Sequence, residues 1–201
     1  MKMNLANKLT ILRILLSFII LILLGANWSM FNFSWPIYLL GGKIILRLNY
    51  LIAGVLFLIA SLTDLFDGKI ARKRNEVTDF GKVMDAIADK VLVNGVLIVL
   101  AYNKDISLLV PVIIIIRDII VDSIKMVCGQ NGKTIAASMA GKVKTTFMMS
   151  GIVLVLFENI PMEFFNVALD QLLILIATCL SIYSAIEYYL VNRSILFKTS
   201  K

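Results

Sequence analysis

Four aspartates occupy one short stretch of this chain, beside apolar runs that are long enough to cross a bilayer. Asp64 and Asp67 are three residues apart and Asp85 and Asp89 are four apart, so each pair shares one face of a helix. A carboxylate near hydrocarbon is costly unless it is paired or holds a cation. Two helices that each present two carboxylates to one cleft form a set of hard oxygen ligands suited to Mg²⁺ or Mn²⁺.

Glycine and arginine residues lie close to these acids in the sequence. Gly68 and Gly81 lack a Cβ, which lets backbone or ligand approach closely. Arg72 follows Asp64 by eight residues on the same side of a continuing helix, where its guanidinium can reach a phosphate. Two divalent ions can hold a diphosphate and stabilise its leaving group. The stretch therefore favours phosphoryl chemistry over the alternative, in which the acids pair with nearby lysines and arginines at solvated helix ends.

The composition indicates an integral membrane protein. Of 201 residues 60% are hydrophobic, and the mean hydropathy of +0.91 is far above that of a soluble domain. The net charge of +7 comes from basic residues that flank apolar spans, which favours anionic lipid headgroups over nucleic acid as the partner. Histidine is absent, and Cys128 and Cys179 are far apart, so histidine catalysis, zinc, redox and disulfide roles are not expected.

We predict an all-α fold, in which residues 1–201 form a single domain of six transmembrane helices preceded by a short N-terminal interfacial helix. Residues 27–48 are interpreted as a loop and an amphipathic turn. This topology puts 17 of the 20 lysines and arginines on one side, so both termini and the acids are predicted to face the cytoplasm from the cell membrane. The predicted spans are 9–25, 49–73, 82–102, 106–127, 138–157 and 171–192.

A second cluster of charge lies inside the fourth predicted span. Arg117 and Lys125 are eight residues apart and share a helix face with acids between them, Asp118 and Asp122. One interpretation is internal pairing that only stabilises the bundle. The other is a basic pocket for a phosphate-bearing acceptor, open to the cytoplasm. Further basic residues for such a pocket follow at Lys133, Lys142 and Lys144.

The pattern Asp64-x-x-Asp67-Gly68-x-x-Ala71-Arg72, eight residues, then Gly81-x-x-x-Asp85-x-x-x-Asp89 resembles the full motif of the CDP-alcohol phosphatidyltransferases. The sequence alone favours Asn7 and Thr10 as caps of the first helix, but the segment LANKLTILRI at residues 5–14 also resembles the Asn-x-Leu-Thr-x-x-Arg segment of bacterial members. The resemblance implies CDP-diacylglycerol as donor, Asp64, Asp67 and Asp85 as metal ligands, and Asp89 as general base and further ligand, with two ions bound. It implies nucleotide and diphosphate contacts from Asn7, Thr10, Arg13, Asp64, Asp67, Gly68, Ala71, Arg72 and Gly81.

The acceptor stretch resembles that of the phosphatidylglycerophosphate synthases, a group within this family. Arg117-Asp118, Lys125 and Ala136-Ala137-Ser138-x-x-Gly141-Lys142-x-Lys144-Thr145 match it, with Asp118 in place of Glu and Lys125 where Arg is common. The resemblance implies sn-glycerol 3-phosphate as the acceptor and a homodimer. Phosphatidylglycerol and inositol phosphate remain alternative acceptors, and a cation transporter remains the alternative from another class. The acceptor's phosphate is expected to contact Arg117, Lys125, Lys133, Lys142 and Lys144.

Overall fold

A computed structural model describes residues 5–42, 44–73, 79–130, 132 and 138–196, with side chains except at 5, 6, 65–73, 79, 80 and 82. Six α-helices account for most of this part of the chain, which confirms the predicted helical bundle. Each helix lies within a few residues of a predicted span. The helices are α1 (Leu5–Gly25), α2 (Leu48–Lys73), α3 (Asp79–Tyr102), α4 (Leu109–Gln130), α5 (Met139–Leu156) and α6 (Leu169–Leu196).

Membrane character is clearest in three of these helices. By length and composition α5, α6 and the Asn7–Gly25 part of α1 are apolar enough to cross a membrane, and Leu48–Asp64 of α2 is a shorter apolar segment. Their outward faces carry large exposed hydrophobic side chains, such as Phe18 and Leu175. In α3 and α4 the apolar sequence is interrupted by the acids and bases of the two charged clusters.

The core lies where the helices cross. α1 packs against α2 and α3, while α6 packs against α4 and α5. Phe57, Leu97 and Ile152 are fully buried or nearly so in one apolar cluster that draws on all six helices. At Gly151 a Cβ would lie 2.7 Å from the Ile174 side chain, so the absence of a side chain lets α5 and α6 approach closely.

Residues 26–47 differ from the predicted loop. A 3₁₀ helix at Trp28–Phe31 is followed by two antiparallel strands, β1 (Ile37–Leu40) and β2 (Ile44–Arg47), with Ile37 opposite Arg47. The two glycines at 41 and 42 have φ of +61° and +70° and form the turn between the strands. The prediction of a loop is therefore wrong at the two strands, because adjacent glycines fit a loop as well as they fit a tight turn.

The N-terminal helix also differs in detail from the prediction. The predicted interfacial segment, from residue 5 onward, is the first turn of α1, and the helix continues to Gly25 without a break. Since α1 is continuous, the residues expected at the nucleotide lie on the same rigid element as the membrane span. Residues 1–4 of the predicted interfacial helix are outside the part of the chain that the structure describes.

A polar network closes the end of the bundle where β2, the α3–α4 turn and the α5–α6 turn meet. Arg47 donates to Glu158 (Nε–Oε1 2.6 Å) and to Asp105 (Nη2–Oδ1 2.9 Å). Tyr50 donates its hydroxyl to Asp105 (2.5 Å) and receives a hydrogen bond from Asn103 (2.8 Å). Consecutive helices therefore alternate in direction, and the two charged clusters of the sequence lie toward the opposite end.

Candidate active site

One face of α1 is polar and buried, although the helix is otherwise apolar. Asn7, Thr10 and Arg13 are at most 9% exposed, and their spacing of three residues keeps them on the same side of the helix. Ser17, one turn further along, donates its hydroxyl to the Arg13 carbonyl (2.8 Å). The three residues expected at the nucleotide thus lie together, on the face that α1 turns toward α2 and α3.

Arg13 bridges Asp64 and Asp85, the first aspartate of each pair. Its Nη1 lies 2.5 Å from Asp64 Oδ1 on α2 and 2.8 Å from Asp85 Oδ1 on α3. Because both carboxylates contact one nitrogen, their oxygens converge from two helices on the same point. The Arg13 side chain is 1% exposed, whereas those of Asp64 and Asp85 are 34% and 48% exposed. The arginine therefore lies behind the carboxylates, and the carboxylates face open space.

That space is a cavity of about 680 Å³ between α2, α3 and α5. Three of the four predicted aspartates line it, and Lys142 of α5 lies on its wall. The rest of the lining mixes hydroxyl groups with apolar side chains, a combination that suits a lipid with a charged headgroup. Its lining residues are Leu58, Ser61, Leu62, Asp64, Asp85, Ala86, Asp89, Lys142, Thr145, Thr146, Met149 and Ser150.

Asp89 lies between the two charged clusters. It lines the large cavity, and it also lines a narrow neighbouring cavity of about 30 Å³ together with Asp118 and Lys144. Asp64 and Asp85 line the first of these cavities with it, and Asp118 and Lys144 line the second. This position puts one carboxylate within the electrostatic reach of both clusters.

The predicted metal site is brought together in part. Asp64 and Asp85 converge, and Asp89 lines the same cavity. Among the described side chains, no group of three or more acids, cysteines or histidines is close enough to hold an ion. Asp67 lies on the helical backbone of α2, with a side chain outside the description. The converging oxygens are nevertheless the hard donors that Mg²⁺ and Mn²⁺ prefer, so the residues present fit such an ion.

The remaining motif positions lie on the same two helices. α2 extends to Lys73, so the backbone at Gly68, Ala71 and Arg72 is helical, as the expected continuation of that helix requires. The side chains of Ala71 and Arg72 are outside the description, and their predicted contacts stay predictions. Gly81 lies in the first turn of α3.

The basic cluster centres on Asp118. Arg117 Nη1 lies 3.0 Å from Asp118 Oδ1, and Lys144 Nζ lies 3.3 Å from the same oxygen. Lys125 Nζ lies 5.5 Å from the Tyr188 ring centroid, and the Arg117 guanidinium carbon is 6.0 Å from it. Arg117 and Lys144 therefore share one carboxylate, and Arg117 and Lys125 both lie near the Tyr188 ring. Lys142 is exposed at the large cavity, and Lys133 lies outside the described residues.

Internal pairing, the other interpretation of this cluster, is also present. Asp118 pairs with Arg117 and Lys144, and Asp122 of α4 pairs with Lys90 of α3. Two of these contacts were not predicted from the sequence, the pairing of Lys90 with Asp122 and the hydrogen bond from Arg117 Nη2 to Ser184 Oγ (2.7 Å). A signal for the latter existed in α6, where polar residues recur at helical spacing inside an apolar helix and are buried. These residues are Thr178, Ser181, Ser184, Tyr188 and Asn192.

Comparisons with known proteins place this geometry in a family context. A model of the CDP-alcohol phosphatidyltransferase family matches residues 3–183. A Bacillus subtilis (strain 168) protein is 36% identical over 94% of this chain and 95% of its own. A Mycoplasma genitalium protein is 37% identical over 93% of this chain and 83% of its own, and a Shigella flexneri serotype 5b protein is 30% identical over 94% of each. All three are named CDP-diacylglycerol--glycerol-3-phosphate 3-phosphatidyltransferase.

The bridge made by Arg13 gives a stability prediction. In Arg13→Gln the carboxylates of Asp64 and Asp85 lose their shared cation and repel each other at close range. We expect a loss of about 2 kcal/mol, less than for a fully buried pair because both acids are partly exposed. Thermal unfolding of the purified protein in detergent measures the effect. Lys8→Gln, an exposed lysine on the same helix, is the matched control and should leave the unfolding temperature unchanged.

A double variant tests the cause. If repulsion between the two acids drives the loss, Asp64→Asn should be much less harmful in the Arg13→Gln background than in the wild-type protein, since it then removes a repelling charge. Equal losses in the two backgrounds would contradict the bridge.

Proposed function

Because the chain belongs to the CDP-alcohol phosphatidyltransferase family, we propose that it transfers the phosphatidyl group of CDP-diacylglycerol to sn-glycerol 3-phosphate. The products are phosphatidylglycerophosphate, which stays in the membrane, and CMP. The relatives named for this reaction are 30–37% identical to the chain along almost its whole length, which supports the same donor and acceptor here.

The observation that carries the proposal is the shared cavity. Asp64, Asp85 and Asp89 line one wall of the 680 Å³ space and Lys142 lines another, with the paired Asp118 and Lys144 just beyond Asp89. A transfer between two phosphate-bearing substrates is served by carboxylates that can hold metal ions at the donor diphosphate and by basic groups at the acceptor phosphate. Both sets of groups line a cavity together with Asp89, a carboxylate that can accept a proton.

The donor would bind at the carboxylates of α2 and α3. Asp64, Asp67, Asp85 and Asp89 would hold Mg²⁺ or Mn²⁺, two ions in all, which supply positive charge to offset that of the diphosphate and of the departing CMP. Arg13 of α1 contacts two of these carboxylates. Further contacts to the nucleotide and diphosphate would come from Asn7, Thr10, Gly68, Ala71, Arg72 and Gly81. The apolar side chains that line the cavity, among them Leu58 and Met149, would contact the acyl chains.

Asp89 is the proposed general base. It would take the proton from the 1-hydroxyl of glycerol 3-phosphate as that oxygen attacks the β-phosphorus, and the bond from phosphorus to the CMP oxygen breaks. Its place between the carboxylates and the basic cluster is the position that this proton transfer requires. Without histidine in the sequence, a carboxylate is the residue best suited to the task.

The acceptor's own phosphate would bind at the basic cluster. Arg117 and Lys144 are held in place by Asp118, and Lys142 faces the cavity. Charge-assisted hydrogen bonds to a phosphate are stronger than neutral ones, and an arginine adds a fixed planar geometry. Lys125 and Lys133 are the further proposed contacts of this phosphate.

We further propose that the protein is a homodimer in the cytoplasmic membrane, with both termini and the cavity facing the cytoplasm. The distribution of basic residues supports this orientation. Helices that alternate in direction fit it too, because they bring the N-terminal part of α1 and the C-terminal part of α6 to the same end of the bundle as the aspartates.

An acceptor assay tests the proposed reaction. Purified protein with CDP-diacylglycerol, Mg²⁺ and labelled glycerol 3-phosphate should give a labelled lipid and CMP in equal amounts. Inositol phosphate and phosphatidylglycerol are tested in parallel. Product from one of these and none from glycerol phosphate would overturn the acceptor assignment, and cation flux without CMP release would overturn the reaction class.

The two aspartate roles are separable. Asp89→Asn should lower kcat by a factor on the order of 100 to 10,000, the usual contribution of a general base, while CDP-diacylglycerol still binds. Asp67→Asn should lose divalent-ion and nucleotide binding together. Both are measured by turnover and by equilibrium binding of the donor. Asp170→Asn, the same change at the opposite end of the bundle, is the control, and near-normal turnover by Asp89→Asn would refute the base assignment.

The acceptor site gives a second kinetic prediction. Lys142→Ala and Arg117→Ala remove a charged donor to the acceptor phosphate, so we expect KM for glycerol phosphate to rise by roughly tenfold or more with little change in KM for CDP-diacylglycerol. Lys104→Ala, an exposed lysine at the far end of the bundle, should behave like the wild type. An unchanged acceptor KM in both site variants would exclude this pocket.

A further inference from the structure

Two side chains of α6 form hydrogen bonds with the basic cluster and with the N-terminus of α5. Ser184 is fully buried, and its Oγ accepts a hydrogen bond from Arg117 Nη2 at 2.7 Å. One turn further along the helix, Tyr188 accepts a hydrogen bond from the backbone N–H of Ser138 at 2.9 Å. Neither residue carries charge or belongs to the acidic motif, yet each contacts a different part of the proposed acceptor site.

Ser138 is the point at which these contacts meet α5. It is the N-cap of that helix, and its Oγ accepts from the Gly141 N–H at 3.1 Å. The same oxygen lies 3.3 Å from Ser184 Oγ. Since Ser184 accepts from Arg117, its own hydroxyl hydrogen is available to donate to Ser138, and the geometry permits a continuous chain from arginine to helix cap. The first turn of α5, which carries Lys142, is thereby tied to Arg117 on α4.

The packing around Gly141 shows how closely the three helices meet. A Cβ at this position would lie 3.6 Å from both Arg117 Nη2 and Ser184 Oγ. The Tyr188 ring lies near two cations of the cluster, with its centroid 6.0 Å from the Arg117 guanidinium carbon and 5.5 Å from Lys125 Nζ. A cation near an aromatic face is attracted to it, which adds to the restraint on both side chains.

We propose that Ser184 and Tyr188 are positioning residues that hold Arg117 and the first turn of α5 in one fixed arrangement, and thereby set the affinity for the acceptor's phosphate. This inference rests on the proposed function, since it concerns the same acceptor site. A guanidinium and an ammonium that are already fixed lose less conformational entropy when they bind a phosphate. The effect should appear in acceptor binding and not in the chemistry at the aspartates.

The experiment compares Ser184→Ala and Tyr188→Phe with a matched control. Ser181 lies one turn earlier on α6, is fully buried, and its Oγ has no hydrogen-bond partner among the described residues. Ser181→Ala thus removes the same atom without breaking a contact to the cluster. We expect Ser184→Ala to raise KM for glycerol phosphate about tenfold, with Tyr188→Phe acting in the same direction. In both, kcat, KM for CDP-diacylglycerol and the unfolding temperature should stay close to those of Ser181→Ala.

A double variant tests whether Ser184 acts through Arg117. In an Arg117→Ala background the further change Ser184→Ala should raise the acceptor KM much less than it does in the wild-type protein, because the arginine that it positions is gone and only its contact with Ser138 remains. An equal further rise in that background would overturn the inference. So would an acceptor KM that matches the control in both single variants, or kcat and both KM values that change together with a lower unfolding temperature. Wild-type protein that makes no labelled lipid from glycerol phosphate would overturn the proposed function itself, and the inference with it.

Discussion

Pairing of charge inside an apolar bundle is the constraint on which this structure depends. A charged side chain among membrane helices is stable only when an opposite charge or a polar group lies beside it. Arg13 meets this requirement with Asp64 and Asp85, and so links α1, α2 and α3. Asp118 meets it with Arg117 and Lys144, and so links α4 and α5. The contacts that satisfy the buried charges therefore also fix the relative positions of the helices that form the cavity.

The two clusters differ in how far their paired side chains are exposed. At the acidic cluster Arg13 is buried while its two carboxylates open onto the 680 Å³ cavity. At the basic cluster Arg117, Asp118 and Lys144 are all largely enclosed, with side chains 12%, 18% and 10% exposed. The acidic cluster therefore presents carboxylates to the cavity, whereas the charges around Asp118 are paired internally and Lys142 is the basic residue exposed at the cavity.

Much of the helical architecture could be predicted because it follows from apolar length. α2 was expected at 49–73 and is found at Leu48–Lys73, and the other helices differ from their predicted bounds by up to four residues. The β1–β2 hairpin could not be predicted in the same way. Its strands have apolar residues on both faces, so the alternation that normally identifies a strand is missing. Only the turn glycines indicate it, and two adjacent glycines fit a loop equally well.

The charged residues of the candidate site were predictable by type, whereas their partners were not. A buried arginine must find an anion, but the sequence does not say that Arg13 meets Asp64 and Asp85. Neutral partners are harder still to predict, because a buried hydroxyl can donate to a carbonyl of its own helix and need not pair across helices. Ser181 and Ser184 look alike in sequence, and only the packing of α6 against α4 and α5 distinguishes them.

Asp118 is the residue at which such packing bears on the proposed acceptor site. The resemblance to phosphatidylglycerophosphate synthases puts Glu at this position, so the carboxylate here is one methylene shorter. A shorter side chain keeps its oxygens near the α4 backbone, where Asp118 Oδ1 contacts both Arg117 and Lys144. Arg117 then has one terminal nitrogen on Asp118 and the other on Ser184, which fixes the plane of the guanidinium by two points on different helices. A planar group held in this way can recognise a phosphate by orientation as well as by charge, which a lone lysine cannot do.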